Sequence, residues 1–283
     1  EIDDTLNMDP ADLSHKITKR TKAVIAVHML GVPARLKEIQ HILEPRGIPL
    51  IEDTAWGCGG MLEGRYLGTW GDVGTFSFDF AKVLTTGEGG MVVSRDAAVH
   101  GRAAAYHDHG HENNPAVPRW EDTRSGSGFN YRMTELQGAV GLAQLQKLER
   151  IVEGQRKNAA ALRGALSDVP GLTWRATPEG SFETADAVVF SVESKEAAGA
   201  VRRRLVEEGL GTKILPEAVT WHFAGTWTHI PQLVASARLP LAEAWPRSTA
   251  LLSRCVALPV SVNMDPGVPE RVRQAVGAVQ ACL

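Results

Sequence analysis

Three short apolar runs, Ala23 to His28, Ile48 to Glu52 and Val73 to Phe78, constrain the fold of this chain more than any other feature. Between the first two, Pro33 suits the first turn of a helix whose Leu36, Ile39, Ile42 and Leu43 share one face, and Pro45 with Gly47 marks its end. β-type runs that alternate with amphipathic helical runs build a mostly parallel sheet covered by helices. Met91 to Ser94 adds a strand, and Asp96 to about His107 reads as a helix with Gly110 near its end. Such a sheet delivers several loops to one edge.

Downstream, Pro115 to Asn130 is rich in Pro, Asn, Ser and Gly and lacks periodicity, the mark of a long loop. A helix is expected from Met133 to about Leu166, with a bend or break at Glu153-Gly154. From Gly171 the pattern predicts strands at Ala187 to Val192 and Thr212 to Leu215, and helices at Lys195 to Glu208 and after Pro266, a smaller α/β unit. The expected division is therefore residues 1–150 and 151–283.

Composition narrows the partners. Thirty basic against 33 acidic residues, net charge −3, give no nucleic-acid or anionic-membrane footprint, and no stretch is apolar enough for a membrane span. Small molecules or a second copy of the chain are the expected partners. Cys58, Cys255 and Cys282 are few, odd in number and far apart, which favours a reducing cytoplasm over a disulfide framework or zinc ribbon. The chain begins at Glu1 in a strand-like passage, so a missing amino-terminal segment is expected.

Chemistry concentrates at Lys82. It follows Phe76-Ser77-Phe78-Asp79-Phe80-Ala81 and runs into Val83-Leu84-Thr85-Thr86-Gly87-Glu88-Gly89-Gly90. An aromatic approach desolvates an ammonium, and the nearby hydroxyl and glycines admit a phosphate and a flat ring, which together suit an aldehyde cofactor. Asp53 ends the run Ile48-Pro49-Leu50-Ile51-Glu52, at the carboxyl edge where ligands of open α/β sheets gather. A carboxylate there keeps a pyridine nitrogen protonated. Taken alone, it reads first as a structural acid that caps the loop or pairs with Arg65, since most strand-end aspartates are structural. His107, His109 and His111 leave three readings open: a zinc site and hence a zinc hydrolase, a structural helix end, or a substrate contact. Trp221, His222 and His229 are scattered further candidates, and His28 is either a site residue at a strand end or a satisfied core histidine.

Taken together, these motifs resemble the DegT-type sugar aminotransferases, pyridoxal-phosphate enzymes of fold type I with an aspartate-aminotransferase-like large domain. The resemblance spans nearly the whole chain. It is carried by Val27-His28-Met29-Leu30-Gly31, Glu52-Asp53-Thr54-Ala55, and Gly71-Asp72-Val73-Gly74-Thr75-Phe76-Ser77-Phe78 leading to Lys82. Gly87-Glu88-Gly89-Gly90 and Phe129-Asn130-Tyr131-Arg132-Met133-Thr134-Glu135-Leu136 complete it.

It implies that Lys82 holds pyridoxal 5'-phosphate covalently and shuttles the proton, that Asp53 meets the pyridine nitrogen, and that Ser77 binds the phosphate. Asn130 would reach the cofactor phosphate of a neighbouring subunit, with Arg132 beside it, in a homodimer with shared sites. Ala55 and Trp56 would border the cofactor, although the family usually has glutamine or histidine where Trp56 stands. Candidate substrate contacts are His109, His111, Arg132 and Trp221. The family carries about a hundred further residues upstream, which supply half of the phosphate cup.

The implied reaction is ping-pong transfer of an amine from an amino acid, with glutamate the expected donor, to a keto or aldehyde sugar. The substrate would be a nucleotide-linked deoxysugar or a 3-deoxyoctulosonate of lipopolysaccharide type; a narrower resemblance is to 8-amino-3,8-dideoxyoctulosonate aminotransferases. Lys82 argues against sugar dehydration, for which relatives carry histidine at this position. A truncated, non-catalytic dimer is the alternative outside enzymology.

Overall fold

The computed structural model describes residues 1–212 and 223–282. The first helix, α1 (Pro10–Lys16), opens on Asp9, whose side chain accepts the Ala11 N–H, with Pro10 in the first turn. Strand β1 (Val24–Val27) leads through a tight turn at Met29–Gly31 into α2 (Leu36–Leu43), and β2 (Leu50–Asp53) follows. As the spacing requires, Leu36, Ile39 and Leu43 form the buried face of α2, each contributing about 2 kcal/mol of hydrophobic burial. The helix then tightens over Glu44–Arg46 and stops at Gly47 with φ 61°, the left-handed conformation open to glycine. Leu13, Val24, Ala26 and Leu50 close this core from α1 and the sheet.

A small hairpin, β3 (Met61–Leu62) and β4 (Arg65–Tyr66), precedes β5 (Val73–Ser77), β6 (Gly90–Ser94) and α3 (Ala97–His107). The main sheet has the order β1-β2-β5-β6. β1, β2 and β5 run parallel, and β6 returns antiparallel to β5. The carboxyl ends of β1, β2 and β5 therefore lie side by side, in register as Val27 with Asp53 and Asp53 with Thr75.

The long helical stretch divides into α4 (Glu135–Leu145) and α5 (Leu148–Ala165). The expected break at Glu153-Gly154 is corrected: α5 continues through it, and the interruption falls at Gln146-Lys147. Gly154 serves close packing instead, since a Cβ there would lie 2.7 Å from Val262 Cγ2. α4 begins with a capping box between Thr134 and Gln137 yet buries none of its residues, leaving Leu136, Leu142 and Leu145 exposed.

The remaining elements are β7 (Thr173–Trp174), β8 (Ser181–Phe182), β9 (Ala187–Ser191), α6 (Lys195–Glu207), α7 (Pro231–Ser236), α8 (Pro246–Ser253), β10 (Cys255–Pro259) and α9 (Val268–Gln280). β10, β9 and β7 make an antiparallel sheet, while β8 joins the hairpin of β3 and β4. α5, α6 and α9 pack with β9 and β10 around Phe190, Val188, Leu205, Leu258 and Val276. The strand expected from Thr212 falls, beyond that residue, outside the described residues, as do Trp221 and His222.

The amino-terminal turn ties these layers together. Glu1 accepts from the Ser248 N–H at 2.9 Å, and the Arg175 Nε donates to the Thr5 carbonyl at 2.7 Å. Asn7 accepts the Met29 N–H at 2.8 Å and donates to the Val32 and Pro33 carbonyls.

Candidate active site

The parallel pairing of β2 and β5 puts Asp53 and Ser77 at neighbouring strand ends, and Lys82 follows in the turn after β5. Asp53 closes β2, half-buried, with Oδ1 accepting the Ala55 N–H at 3.1 Å. Ser77 closes β5, and its Oγ accepts the Asp79 N–H at 3.4 Å. The chain then folds into a local turn: Asp79 Oδ1 takes the Ala81 N–H at 2.8 Å, and the Asp79 carbonyl takes the Lys82 N–H at 3.1 Å. That turn presents Lys82 Nζ 3.9 Å from the centroid of the Trp56 ring, a cation–π contact.

The aromatic cover differs from the expected one. Phe78 is buried, but Phe80 is 77% exposed, so the flat apolar surface at the lysine is the indole of Trp56. Behind the lysine, the loop folds back as Thr86 N–H donates to the Phe78 carbonyl at 2.9 Å and Phe78 N–H to the Gly89 carbonyl at 2.8 Å. Gln137 of α4 holds the loop by donating Nε2–H to the Glu88 carbonyl at 2.8 Å.

Under the strand ends lies a pair the sequence leaves unassigned. His28 Nε2 and Glu52 Oε2 are 3.0 Å apart, and both side chains are fully buried. His28 Nδ1 accepts the Ala34 N–H at 3.1 Å, so Nε2 carries the proton and donates to Glu52. Glu52 also accepts the Gly68 N–H at 2.8 Å and the Gly71 N–H at 2.6 Å. Burial pushes the Glu52 carboxyl up, but the bond from His28 and the two backbone N–H groups outweigh it and hold the group below the usual carboxylate range. His28 is thus a core histidine, not a residue open to the site. The suggested Asp53–Arg65 pair does not form; Arg65 hydrogen-bonds Thr69 and lies over the Trp70 ring.

The histidine-rich segment forms a second cluster, organised by two acids. Buried Asp108 takes both Arg119 Nη groups, at 2.7 and 2.9 Å, and Arg132 Nη1 at 2.9 Å. Arg119 and Arg132 hold the Asp108 carboxyl well below its ordinary range. Asp122 accepts the Asn113 and Asn114 N–H groups and meets His111 Nδ1 at 3.1 Å. Burial raises the Asp122 carboxyl, and those three partners more than reverse it.

His111 is therefore buried and engaged with Asp122, whereas His109 is exposed in a left-handed conformation, its N–H donating to the Phe129 carbonyl. The His107 ring turns back to the Ala104 carbonyl. Among the described residues, no group of three or more ligating side chains is arranged to hold a metal ion. Asn130 pairs with Asp108 in an isolated bridge and accepts the Arg132 N–H at 3.4 Å. Glu52, Asp108, Arg119 and Asp122 are the organising residues that reading the sequence passes over. The available signal for Glu52 was a carboxylate closing an apolar run beside a strand-end histidine.

Comparison with known proteins decides the kinship: the model of the DegT/DnrJ/EryC1/StrS aminotransferase family matches residues 1–277. The chain belongs to that family. Among its curated relatives are the GDP-perosamine synthase of Escherichia coli O157:H7, 39% identical over 158 residues covering 55% of this chain and 42% of that protein. The dTDP-4-dehydro-2,3,6-trideoxy-D-glucose 4-aminotransferase of Saccharopolyspora spinosa is 31% identical over 88% of this chain and 64% of its own length. Among solved structures, the aminotransferase TlmJ from Streptoalloteichus hindustanus superposes with a TM-score of 0.83 at 27% identity, covering 100% of this chain and 72% of that one. The chain spans less than half the length of the perosamine synthases it matches, 42% and 44%. The fold of this family member is thus the aminotransferase α/β fold. Among the described residues no helix is long and apolar enough to cross a membrane.

Proposed function

We propose that this family member is a pyridoxal-phosphate-dependent aminotransferase that moves an amino group to a keto or aldehyde sugar. The observation that carries the reading is the placement of a lysine, a carboxylate and a hydroxyl at the ends of two adjacent parallel strands, with Lys82 Nζ 3.9 Å from the Trp56 ring centroid. This donor set fits the cofactor: an amine for its aldehyde, an acid for its ring nitrogen, a hydroxyl for its phosphate. Bound there, pyridoxal phosphate supplies an electrophilic carbon and an electron-accepting ring.

Lys82 would hold the cofactor through its amine, and the same Nζ is the group that would carry the proton. Asp53 would keep the ring nitrogen protonated, Ser77 would bind the phosphate, and Ala55 and Trp56 would border the ring. Asn130 and Arg132 serve the site of a second copy. His109 and Arg132 would contact the substrate, and Trp221, a further expected contact, lies outside the described residues; His111, fixed on Asp122, shapes the loop that carries His109.

Relatives point to the substrate class. Their names include a GDP-linked and a dTDP-linked sugar enzyme and an L-glutamine:2-deoxy-scyllo-inosose aminotransferase from Micromonospora echinospora. These names favour a nucleotide-linked deoxysugar as acceptor with glutamate or glutamine as donor, in cell-surface polysaccharide or secondary-metabolite synthesis. The large unit over residues 1–150 would hold the cofactor, followed by a smaller unit over 151–283; separate cores over Leu13–Leu67 and Ala159–Val276 favour that division, and a third core of Leu6 and Leu30 with Ala187, Val189 and Ala257 joins the two.

A homodimer is supported by the apolar surface of α4, where Leu136 is 81% exposed, beside exposed Met91, Phe129 and Tyr131. Three unpaired cysteines agree with a cytoplasmic setting. Single-turnover mixing of the cofactor-loaded protein with glutamate or glutamine, followed by keto sugars, tests the reading. Bleaching of the visible band by the donor and its return with a sugar is the expected result; a band indifferent to every amino acid overturns it.

A further inference from the structure

We propose that His28 and Glu52 are positioning residues for Asp53, acting as one buried clamp that sets the floor of the site. The inference rests on the aminotransferase reading and deepens it, because it assigns a role to residues that touch neither cofactor nor substrate.

Alternation along β2 sends Glu52 and Asp53 to opposite faces of the sheet. Glu52 points into the interior, where a carboxylate is costly unless every acceptor site is used. Its three donors come from different segments: His28 just beyond β1, and Gly68 and Gly71 in the turn that feeds β5. That turn is pressed against β5, since a Cβ on Gly74 would lie 2.0 Å from the Gly68 carbonyl oxygen.

The backbone closes the same circuit. His28 N–H donates to the Asp53 carbonyl at 3.0 Å, Thr54 N–H donates to the Thr75 carbonyl at 2.9 Å, and Thr75 Oγ1–H donates to the Glu52 carbonyl at 3.2 Å. Asp53 is therefore held between the end of β1 and Thr75, two residues before Ser77: its carbonyl is bonded by the His28 backbone, Glu52 before it is bonded by Thr75, Thr54 after it is bonded to the Thr75 carbonyl, and its own carboxylate takes the Ala55 N–H. Neutralising Glu52 weakens the acceptor for three donors at once and frees the turn, so the Asp53 carboxylate loses its fixed direction while the remaining fold stays packed.

The test is a double-mutant cycle on the complete polypeptide, with the dissociation constant for pyridoxal phosphate and the visible spectrum of the bound cofactor as readouts. Glu52→Gln is expected to weaken cofactor binding by about tenfold and to give the spectrum of Asp53→Asn, and to add nothing further in the Asp53→Asn background. His28→Ala should act like Glu52→Gln, and His28→Gln, which keeps a donor to Glu52, should restore affinity to within about twofold of the unmutated protein.

Without cofactor, the Gly68 and Gly71 amides should exchange hydrogen faster in Glu52→Gln. Effects that simply add in the double mutant, or a Glu52→Gln protein with unchanged affinity and spectrum, overturn the inference. If Glu52→Gln does not fold, the same cycle with the two His28 variants decides. Failure of the unmutated protein to bind the cofactor overturns the aminotransferase reading and this inference together, and is told apart because it shows before any substitution.

Discussion

The two acid-centred clusters of this molecule use the same chemistry in opposite settings. Glu52 is sealed inside the sheet with His28, just beyond β1, and two backbone N–H groups of the turn that feeds β5, all held against the strands. Asp108 is itself buried, but its guanidinium partners Arg119 and Arg132 stand roughly half exposed on an irregular segment. In the first setting the partners have no alternative in water, so removing the acid leaves unsatisfied groups. In the second, solvent replaces what is lost and screening reduces what was there. The sheet end is thus built to hold a fixed direction, and the loop to hold a shape that a ligand or a second copy can adjust.

Substitutions break or sharpen that contrast in a definite order. Glu52→Ala should have the largest effect, about 3–5 kcal/mol in urea unfolding, because it leaves three buried donors, the His28 Nε2–H and the Gly68 and Gly71 amides, without an acceptor. A loss below about 1 kcal/mol would show that water reaches the pair. Gly74→Ala should follow, at about 3 kcal/mol, since its Cβ meets the Gly68 carbonyl at 2.0 Å and the turn must shift.

Asp108→Asn should cost less global stability and should show first as faster limited proteolysis within residues 108–130. The sign of its pH dependence follows from a depressed folded-state carboxyl. The contribution is complete above the unfolded value near pH 4 and is lost as pH falls through the lower folded-state value. The loop of the unmutated protein should accordingly loosen in acid, and that of Asp108→Asn should show a smaller transition, the part that Asp122 contributes. Trp120→Ala should be the mildest, within about 0.5 kcal/mol by thermal melting, because Trp120 is 85% exposed and its removal empties no core.

How much of this was legible in the sequence follows the same divide. The strands ending at Val27, Asp53 and Ser77 were readable because buried parallel strands are continuous apolar runs, and α2 was readable from Leu36, Ile39 and Leu43 on one face. Lys82 stood out because its turn is local, built from Ser77, Asp79 and the following glycines. Glu52 did not, because its partners lie 16 to 24 residues away and no local pattern encodes them.

Asp108 and Asp122 were hidden for the same reason, within a loop where bonds at a separation of 11 residues replace periodicity. The α4–α5 interruption carries no proline or glycine, whereas Gly154, which looked like a breaker, is a packing residue against Val262. Trp56 carried a half-legible signal: its place beside Asp53 was plain, but its contact with Lys82 required the fold.

The most direct measurement is the visible absorption of the purified complete polypeptide with pyridoxal phosphate, alongside Lys82→Ala. A protein-bound band that is absent in Lys82→Ala, with the variant still folded by circular dichroism, is the predicted result. A band of equal strength in Lys82→Ala, or none in the folded unmutated protein, would contradict the assignment of Lys82 as the residue that holds the cofactor.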